Sequence, residues 1–277
     1  MPLTKPGPLH RLGLAVEDAD ASTDWFVRVL GATPFATLSS ATETDGDPDG
    51  GHMQMFAFAG QPFLLMSAST EDGFVAGFLK RYGPSVHSLA WEIDDLWAME
   101  HLLELRGIRI TGVSIEGRHF FMHPKNTFGL LMEWTDGKIP GLNTGKAGVG
   151  EIGVPVTDVA WVAGVVEDVD ATFELFQEFG GATRVEGLPT GPAELERTVD
   201  LQMGPTVVRL ITPRSDQSRY SLDRGPRWSS VGLRVPDLDS ALAGLERAGV
   251  KVLGREGAVA WTDPATTAGL PFEWTGG

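Results

Sequence analysis

Internal repetition constrains this chain more than any other feature of its sequence. Three segments of the first half return in the same order in the second half, at separations of 150, 142 and 140 residues. The pairs are Ala15–Ser22 with Val165–Thr172, Gly83–Leu96 with Gly225–Leu238, and Gly129–Trp134 with Gly269–Trp274. Three matches at a nearly constant separation indicate a tandem duplication, so the two halves are expected to share one fold.

Each half also divides into two smaller modules. A module opens with a short apolar strand, such as residues 12–16 or 88–93, followed by an Asp-rich turn that can cap a helix. The helix has apolar residues at a 3.6-residue period and ends at Gly31 or Gly107. Short alternating strands follow, such as residues 52–58 and 63–66. The pattern predicts an α+β protein built from four βαβββ modules.

The chain length of 277 residues favours two domains. The repeat places the first domain at residues 1–138 and the second at residues 155–277. Residues 139–154, which contain Gly and Pro, are expected to link them.

Charge and cysteine content exclude several classes of function. A formal net charge of −15 makes binding to nucleic acid or to an anionic membrane unfavourable. The absence of cysteine excludes thiolate metal sites, disulfides and a cysteine nucleophile. No apolar run is long enough to span a membrane and no secretory signal is readable, which predicts a cytoplasmic protein.

Three residues suggest a metal site in the first half. His10 opens the first strand of module one, His87 opens the first strand of module two, and Glu133 ends the last strand of module two. If the paired modules form a strongly curved sheet, these side chains converge as two imidazoles and one carboxylate, a set that binds divalent metals. The second half has Ala160 and Ser229 at the two histidine positions, so it is expected to be a degenerate copy without a catalytic metal.

At this point the sequence resembles the vicinal oxygen chelate superfamily, which includes glyoxalase I, methylmalonyl-CoA epimerase and the extradiol dioxygenases. Residues 8–136 are most similar to the epimerase branch, above all in the segment Phe120–Glu133. The resemblance implies two domains of paired modules with curved, incompletely closed β-barrels. It also implies that His10, His87 and Glu133 hold a divalent ion, whether Mn, Co, Ni, Fe or Zn.

Two departures from the family pattern affect the reading of the reaction. The position that usually supplies a fourth ligand is Phe63, which cannot coordinate a metal, and His52 is the best candidate to replace it. The ring-cleaving dioxygenases have a tyrosine where this chain has Phe120, and the spacing from Pro124 to Glu133 matches the epimerase branch. The dioxygenase reading is therefore the second choice.

Proton abstraction next to a carbonyl requires a base close to the reacting carbon. The epimerase branch places a carboxylate midway between the first histidine and the fourth-ligand position, and Glu43 and Asp49 both lie in the corresponding segment. His52 is the third candidate for proton transfer, whereas His123 is expected to be a positioning residue of the family segment.

The leading hypothesis is a metal-dependent epimerase, racemase or isomerase that moves a proton on a carbon next to a carbonyl. The substrate is expected to be a small apolar or cyclic carbonyl compound, because Phe56, Phe58 and Phe63 are candidates to line the pocket. An Fe(II)-dependent extradiol-type dioxygenase and a protein that sequesters small molecules are the alternatives. A homodimer is one candidate assembly, and the sequence does not decide the oligomeric state.

Overall fold

The computed structural model describes residues 5–39, 51–113, 118–139 and 148–277. Four βαβββ modules follow one another along the chain, as the sequence predicts. The first half contains β1 (Leu9–Ala15), α1 (Ala19–Leu30), β2 (Thr33–Ser39), β3 (Gly51–Phe58), β4 (Gln61–Ala68), α2 (Phe74–Tyr82), β5 (Ser85–Glu92), α3 (Leu96–Leu105), β6 (Ile110–Thr111), β7 (His119–Met122) and β8 (Met132–Thr135). Helix α2 is additional to the modules and connects the first module to the second.

The second half repeats this order without a counterpart of α2 in the described residues. It contains β9 (Asp158–Val165), α4 (Val169–Gly180), β10 (Thr183–Val185), β11 (Glu196–Met203), β12 (Thr206–Pro213), β13 (Arg227–Val235), α5 (Leu238–Arg247), β14 (Val252–Glu256), β15 (Val259–Thr262) and β16 (Phe272–Gly276). A 3₁₀ turn stands before the last strand of each half, at Pro124–Asn126 and at Pro264–Thr266.

Each half forms one mixed sheet of eight strands. The strand order is β2-β3-β4-β1-β5-β8-β7-β6 in the first half and β10-β11-β12-β9-β13-β16-β15-β14 in the second. The first strand of a module pairs in parallel with its last strand, as β1 does with β4 and β5 with β8. Both sheets have free edge strands, so they are open and not closed barrels, which confirms the predicted fold class.

The Asp-rich turns act as helix caps. Asp18, Asp95, Asp168 and Asp237 each hold the N-cap position of a module helix and accept a hydrogen bond from a backbone N–H of the first turn. Such a cap satisfies a donor that has no partner within the helix and is worth about 1 kcal/mol. Helix α1 ends at Gly31, whose φ of 72° is left-handed and therefore favours glycine.

Two compact units arise from the contacts, and each takes segments from both halves. One unit comprises Met1–Arg11, Ser88–Ile139 and Trp161–Ser229, and the other comprises Leu12–His87, Pro140–Ala160 and Ser230–Gly277. The first unit therefore holds most of modules two and three, and the second unit holds most of modules one and four. The division of the chain at residues 139–154 stays a prediction.

Aromatic side chains fill the core of each unit. In the first unit, Phe176 of α4 contacts Trp91 and Trp228, with ring centroids 6.2 and 6.3 Å apart. In the second unit, Phe26 of α1 contacts Phe56 of β3 at 4.5 Å and Phe272 of β16 at 5.8 Å. Large rings bury much apolar area, so these contacts stabilise each unit by joining modules that are distant in sequence.

Part of the predicted linker contacts helix α1 inside the second unit. The backbone N–H groups of Glu151 and Ile152 donate to the carbonyls of Arg28 and Val29 at 3.0 and 3.2 Å. Arg28 and Glu151 also form an exposed ion pair. These bonds satisfy carbonyls at the C-terminus of α1. No helix within the described ranges is long and apolar enough to cross a membrane.

Candidate active site

Glu133 is the centre of a buried polar cluster in the first unit. It lies on β8, with Ala90 of β5 on one side and Phe121 of β7 on the other. Its side chain is fully buried. A buried carboxylate is costly unless a charged group or several hydrogen bonds compensate it, so its neighbours determine what this position can do.

Arg11 supplies the compensating charge. One guanidinium nitrogen, Nη2, donates to Glu133 Oε1, and the other, Nη1, donates to His10 Nδ1 at 2.8 Å. The Arg11 side chain is 17% exposed, whereas that of Glu133 is 1% exposed. The guanidinium therefore lies between the buried carboxylate and the surface of the unit.

His10 is held as a neutral imidazole. Burial, followed by the nearby charges of Arg11 and Lys138, lowers the pKa of His10 from 6.5 to about 3. A guanidinium can only donate, so Nδ1 of His10 must accept from Arg11 and carry no proton. The single proton of the neutral ring is then on Nε2, which makes that atom a hydrogen-bond donor.

Glu133 Oε2 is the unsatisfied atom of the cluster. It is buried and has no hydrogen-bond partner among the described residues. A buried acceptor without a donor costs about 1–3 kcal/mol, and more when it is charged. The position therefore suits a ligand, or a water molecule, that donates a hydrogen bond to Oε2.

His87, the third residue of the predicted metal site, does not join this cluster. Ala90 pairs with Glu133, and side chains alternate along a strand, so Ser88 and Ala90 share the face of Glu133 while His87 points to the other face. The His87 ring contacts Phe78 and Phe74 of α2 at 4.8 and 6.0 Å. The structure thus links His10 to Glu133 through Arg11, whereas the strand register places His87 on the other face.

The residues present do not fit a divalent cation at the predicted site. The two candidate ligand atoms, His10 Nδ1 and Glu133 Oε1, both accept hydrogen bonds from Arg11. The positive charge of Arg11 would repel a metal ion. Over the described ranges, no group of three His, Asp or Glu side chains is close enough to hold a metal.

Of the three predicted proton-transfer residues, His52 lies within the described residues, and its contacts are with α1. Glu43 and Asp49 lie outside the described residues. His52 Nε2 lies 2.8 Å from Asp20 Oδ1, at the first turn of α1, and Gln54 donates to the same oxygen. These bonds lower the pKa of Asp20, the one from His52 most. In the second half Arg197 pairs with Asp170 in the same way, which indicates a structural link between the helix and the sheet.

Two further family positions have structural roles. Phe63 is fully buried and packs against Phe56, Phe58 and Phe26 at 5.4, 5.7 and 6.1 Å. It therefore faces helix α1. His123 caps the 3₁₀ turn by accepting from the N–H of Lys125, as Asp263 does in the second half from Ala265.

The second half repeats the buried carboxylate with a different partner. Glu273 on β16 pairs with Gly232 of β13, and Ser230 Oγ donates to Glu273 Oε1 at 2.6 Å. Ser230 corresponds to Ser88, because each stands two residues before the strand partner of the glutamate. Sequence reasoning missed both Arg11 and Ser88. Both could have been identified from the alternation of side chains along a strand, counted from the glutamate that the two halves share.

A shallow hollow of about 500 Å³ lies elsewhere, in the second unit. It is lined by residues of the β4–α2 region, including Ser69, Glu71 and Lys80, and by Glu17. It contains none of the predicted site residues.

One family model matches part of the first half. Residues 10–121 match the model of the Glyoxalase/Bleomycin resistance protein/Dioxygenase superfamily. No curated protein matches the sequence.

Two solved structures resemble this chain over different extents. A mutant of 4-hydroxymandelate synthase from Streptomyces coelicolor is 17% identical over 99% of this chain and 92% of that one, with a TM-score of 0.71. Methylmalonyl-CoA epimerase from Mycobacterium tuberculosis is 28% identical over 46% of this chain and 85% of that one, with a TM-score of 0.40. The first likeness shows that the complete chain shares a known two-domain fold.

Proposed function

We propose that the protein is an isomerase or epimerase of a small carbonyl compound, a proposal supported by the match of residues 10–121 to the Glyoxalase/Bleomycin resistance protein/Dioxygenase superfamily. The reaction moves a proton on the carbon next to the carbonyl, with Glu133 as the base. The observation that carries the proposal is the buried, unpartnered Oε2 of Glu133 beside a fixed guanidinium.

The chain's own residues supply both parts of such a reaction. Glu133 Oε2 takes the proton from the carbon, and the electron pair of the C–H bond moves toward the carbonyl oxygen to give an enolate. The Arg11 guanidinium is the donor for that developing negative charge, and His10 holds the guanidinium in place by accepting from it through Nδ1. Protonation of the opposite face of the enolate by solvent water, with release of the abstracted proton from Glu133 to solvent, gives the epimer, and protonation of the neighbouring carbon gives the isomer.

Members of the superfamily generally use a divalent metal ion. In this chain the predicted ligands do not fit one, because Arg11 occupies both converging donors and His87 faces away. The proposal therefore assigns no step to a metal.

Solvent deuterium exchange tests this function. A panel of small carbonyl compounds is incubated with the full chain in deuterated water, and loss of the α-proton signal is followed by NMR together with oxygen consumption. We expect deuterium at the α-carbon without oxygen uptake. Glu133→Gln keeps an acceptor for Arg11 but removes the base, so exchange should fall by about 10²–10⁴-fold.

The matched control is Glu273→Gln, which makes the same change in the second half and should leave the exchange rate within about twofold. Oxygen uptake in proportion to product would overturn the isomerase in favour of the dioxygenase. Binding of the carbonyl compound without any exchange would overturn it in favour of sequestration.

A further inference from the structure

Unmet hydrogen-bonding groups at Glu133 specify the kind of molecule that completes the cluster. We propose that this site binds an uncharged α-hydroxy carbonyl compound without a divalent metal, with Arg11 acting where relatives hold a metal ion. This inference deepens the proposed function and rests on it for the reaction, although the binding part stands alone.

The hydrogen-bond donors and acceptors of the cluster determine which polar groups a ligand must present. Arg11 has five N–H donors, of which the contacts with His10 and Glu133 use two. Glu133 Oε2 is the acceptor of this cluster that has no donor among the described residues. A matching ligand therefore presents an oxygen acceptor to Arg11 and a hydroxyl donor to Oε2.

The charges favour an uncharged ligand. The positive charge of Arg11 is already balanced by Glu133, and His10 is neutral. The other charges close to His10 are also paired, since Lys138 contacts Glu92. An anionic ligand would therefore add a negative charge without a free cation to balance it, and burial of an unpaired charge is costly.

A carbonyl and a neighbouring hydroxyl provide this pattern in one small molecule. The carbonyl oxygen accepts from the guanidinium, while the hydroxyl on the adjacent carbon donates to Oε2. The same arrangement brings the hydrogen on the hydroxyl-bearing carbon near the oxygen that is proposed as the base. A divalent ion is not required, because the guanidinium already provides the positive charge at the carbonyl oxygen.

The experiment uses 2-hydroxycyclohexanone as the probe and cyclohexanone as its matched control. The full chain is first treated with a chelator, and binding is measured by calorimetry and by ligand-observed NMR. We expect the hydroxyketone to bind about tenfold more tightly than the ketone, because only the first satisfies Oε2. Addition of Mn, Co, Ni or Zn should leave the affinity unchanged.

Two lysine variants separate the cluster from a general loss of charge. Arg11→Lys keeps the positive charge beside Glu133 but removes the fork of donors, so binding of the probe should weaken by about tenfold or more. Arg28→Lys makes the same change in the exposed ion pair with Glu151 and should have no effect.

The outcomes distinguish this inference from the proposed function. Probe binding that appears only with added metal, or equal binding of the two ketones, overturns the inference. Metal-free binding of the hydroxyketone without deuterium exchange supports the inference and overturns the isomerase. Deuterium exchange that requires a metal supports the isomerase and overturns the inference.

Discussion

The two halves hold a glutamate at the same place in the fold and give it different partners. Glu133 is bound by the Arg11 guanidinium, whereas Glu273 accepts a hydrogen bond from the Ser230 hydroxyl. Both carboxylates are almost fully buried. The strand pairing and burial of the glutamate were thus retained after duplication, and the chemistry at each position depends on one neighbouring side chain.

The residue that corresponds to Arg11 in the second half is Trp161, 150 positions later. A different arginine, Arg209, lies over its ring at 4.0 Å. Two hydrogen bonds, at 2.8 and 2.9 Å, join this guanidinium to the carboxylate of Asp200. Arg209 therefore forms a buried pair with one carboxylate, whereas Arg11 bridges a carboxylate and an imidazole and is partly exposed.

Removal of Arg11 should lower the free energy of unfolding more than the matching change in the second half. Arg11→Met leaves Glu133 as an uncompensated buried charge, which should lower the free energy of unfolding by about 3–5 kcal/mol. Ser230→Ala removes one hydrogen bond to Glu273 and should cost about 1–3 kcal/mol. Urea denaturation of the two variants measures both values.

The double variant Arg11→Met with Glu133→Met is the control, because it removes both charges and should recover most of the lost stability. A cost for Arg11→Met no larger than that for Ser230→Ala would show that the guanidinium does not carry the buried charge.

Conversion of the first half to a metal site should have the next largest effect. Ser88 shares the face of Glu133, and Arg11 contacts that carboxylate. Arg11→His with Ser88→His therefore places two imidazoles beside one carboxylate, a set that binds Zn or Co. We expect the variant to bind one equivalent, and metal at 100 times its Kd should stabilise it by about 2.7 kcal/mol.

The unchanged protein and the variant Ser88→His alone serve as controls, and neither should gain a stoichiometric metal, because Arg11 is still present. Calorimetry and elemental analysis of the dialysed proteins decide the outcome. Stoichiometric binding by the unchanged chain would restore the predicted metal site and contradict the role assigned to Arg11.

Sequence predicted the modules well because their signals are local. The Asp caps at positions 18, 95, 168 and 237, the helix periodicity and the C-terminal Gly31 all act within a few residues of the element that they define. The repeat then required the two halves to form similar sheets, and the structure has two open sheets with equivalent strand orders.

The site was harder to predict because it depends on strand register. His87 and Ser88 are neighbours in sequence, yet one residue decides which face of β5 each side chain occupies. Likewise, His10 was selected as an imidazole at a strand start, while the contact with Glu133 comes from Arg11, the next residue. Residue type alone cannot distinguish these alternatives, since the pairing of distant strands sets the register.

A further difference between the halves concerns the pH dependence of stability, which arises from His10 in the first half and has no counterpart at Ala160. An unfolded chain protonates His10 near pH 6.5, whereas the folded protein keeps it neutral down to about pH 3. Between these values the unfolded state binds the additional proton, so stability falls as the pH is lowered from about 6.5 to about 3. The contribution of His10 should be about 1.4 kcal/mol for each pH unit within that window.

Urea denaturation at several pH values measures this slope. His10→Gln removes the titrating ring but keeps a side-chain acceptor for Arg11, so its stability should fall less steeply with decreasing pH than that of the unchanged protein. His101→Gln changes an exposed histidine of α3 and should keep the original slope. Charges that face His10, namely Arg11, Lys138 and His119, remain in both variants, so the difference between the slopes reports on His10 alone. Equal slopes for the two variants would mean that His10 is charged in the folded protein at these pH values, and a charged imidazole could not accept the hydrogen bond from Arg11 that defines the cluster.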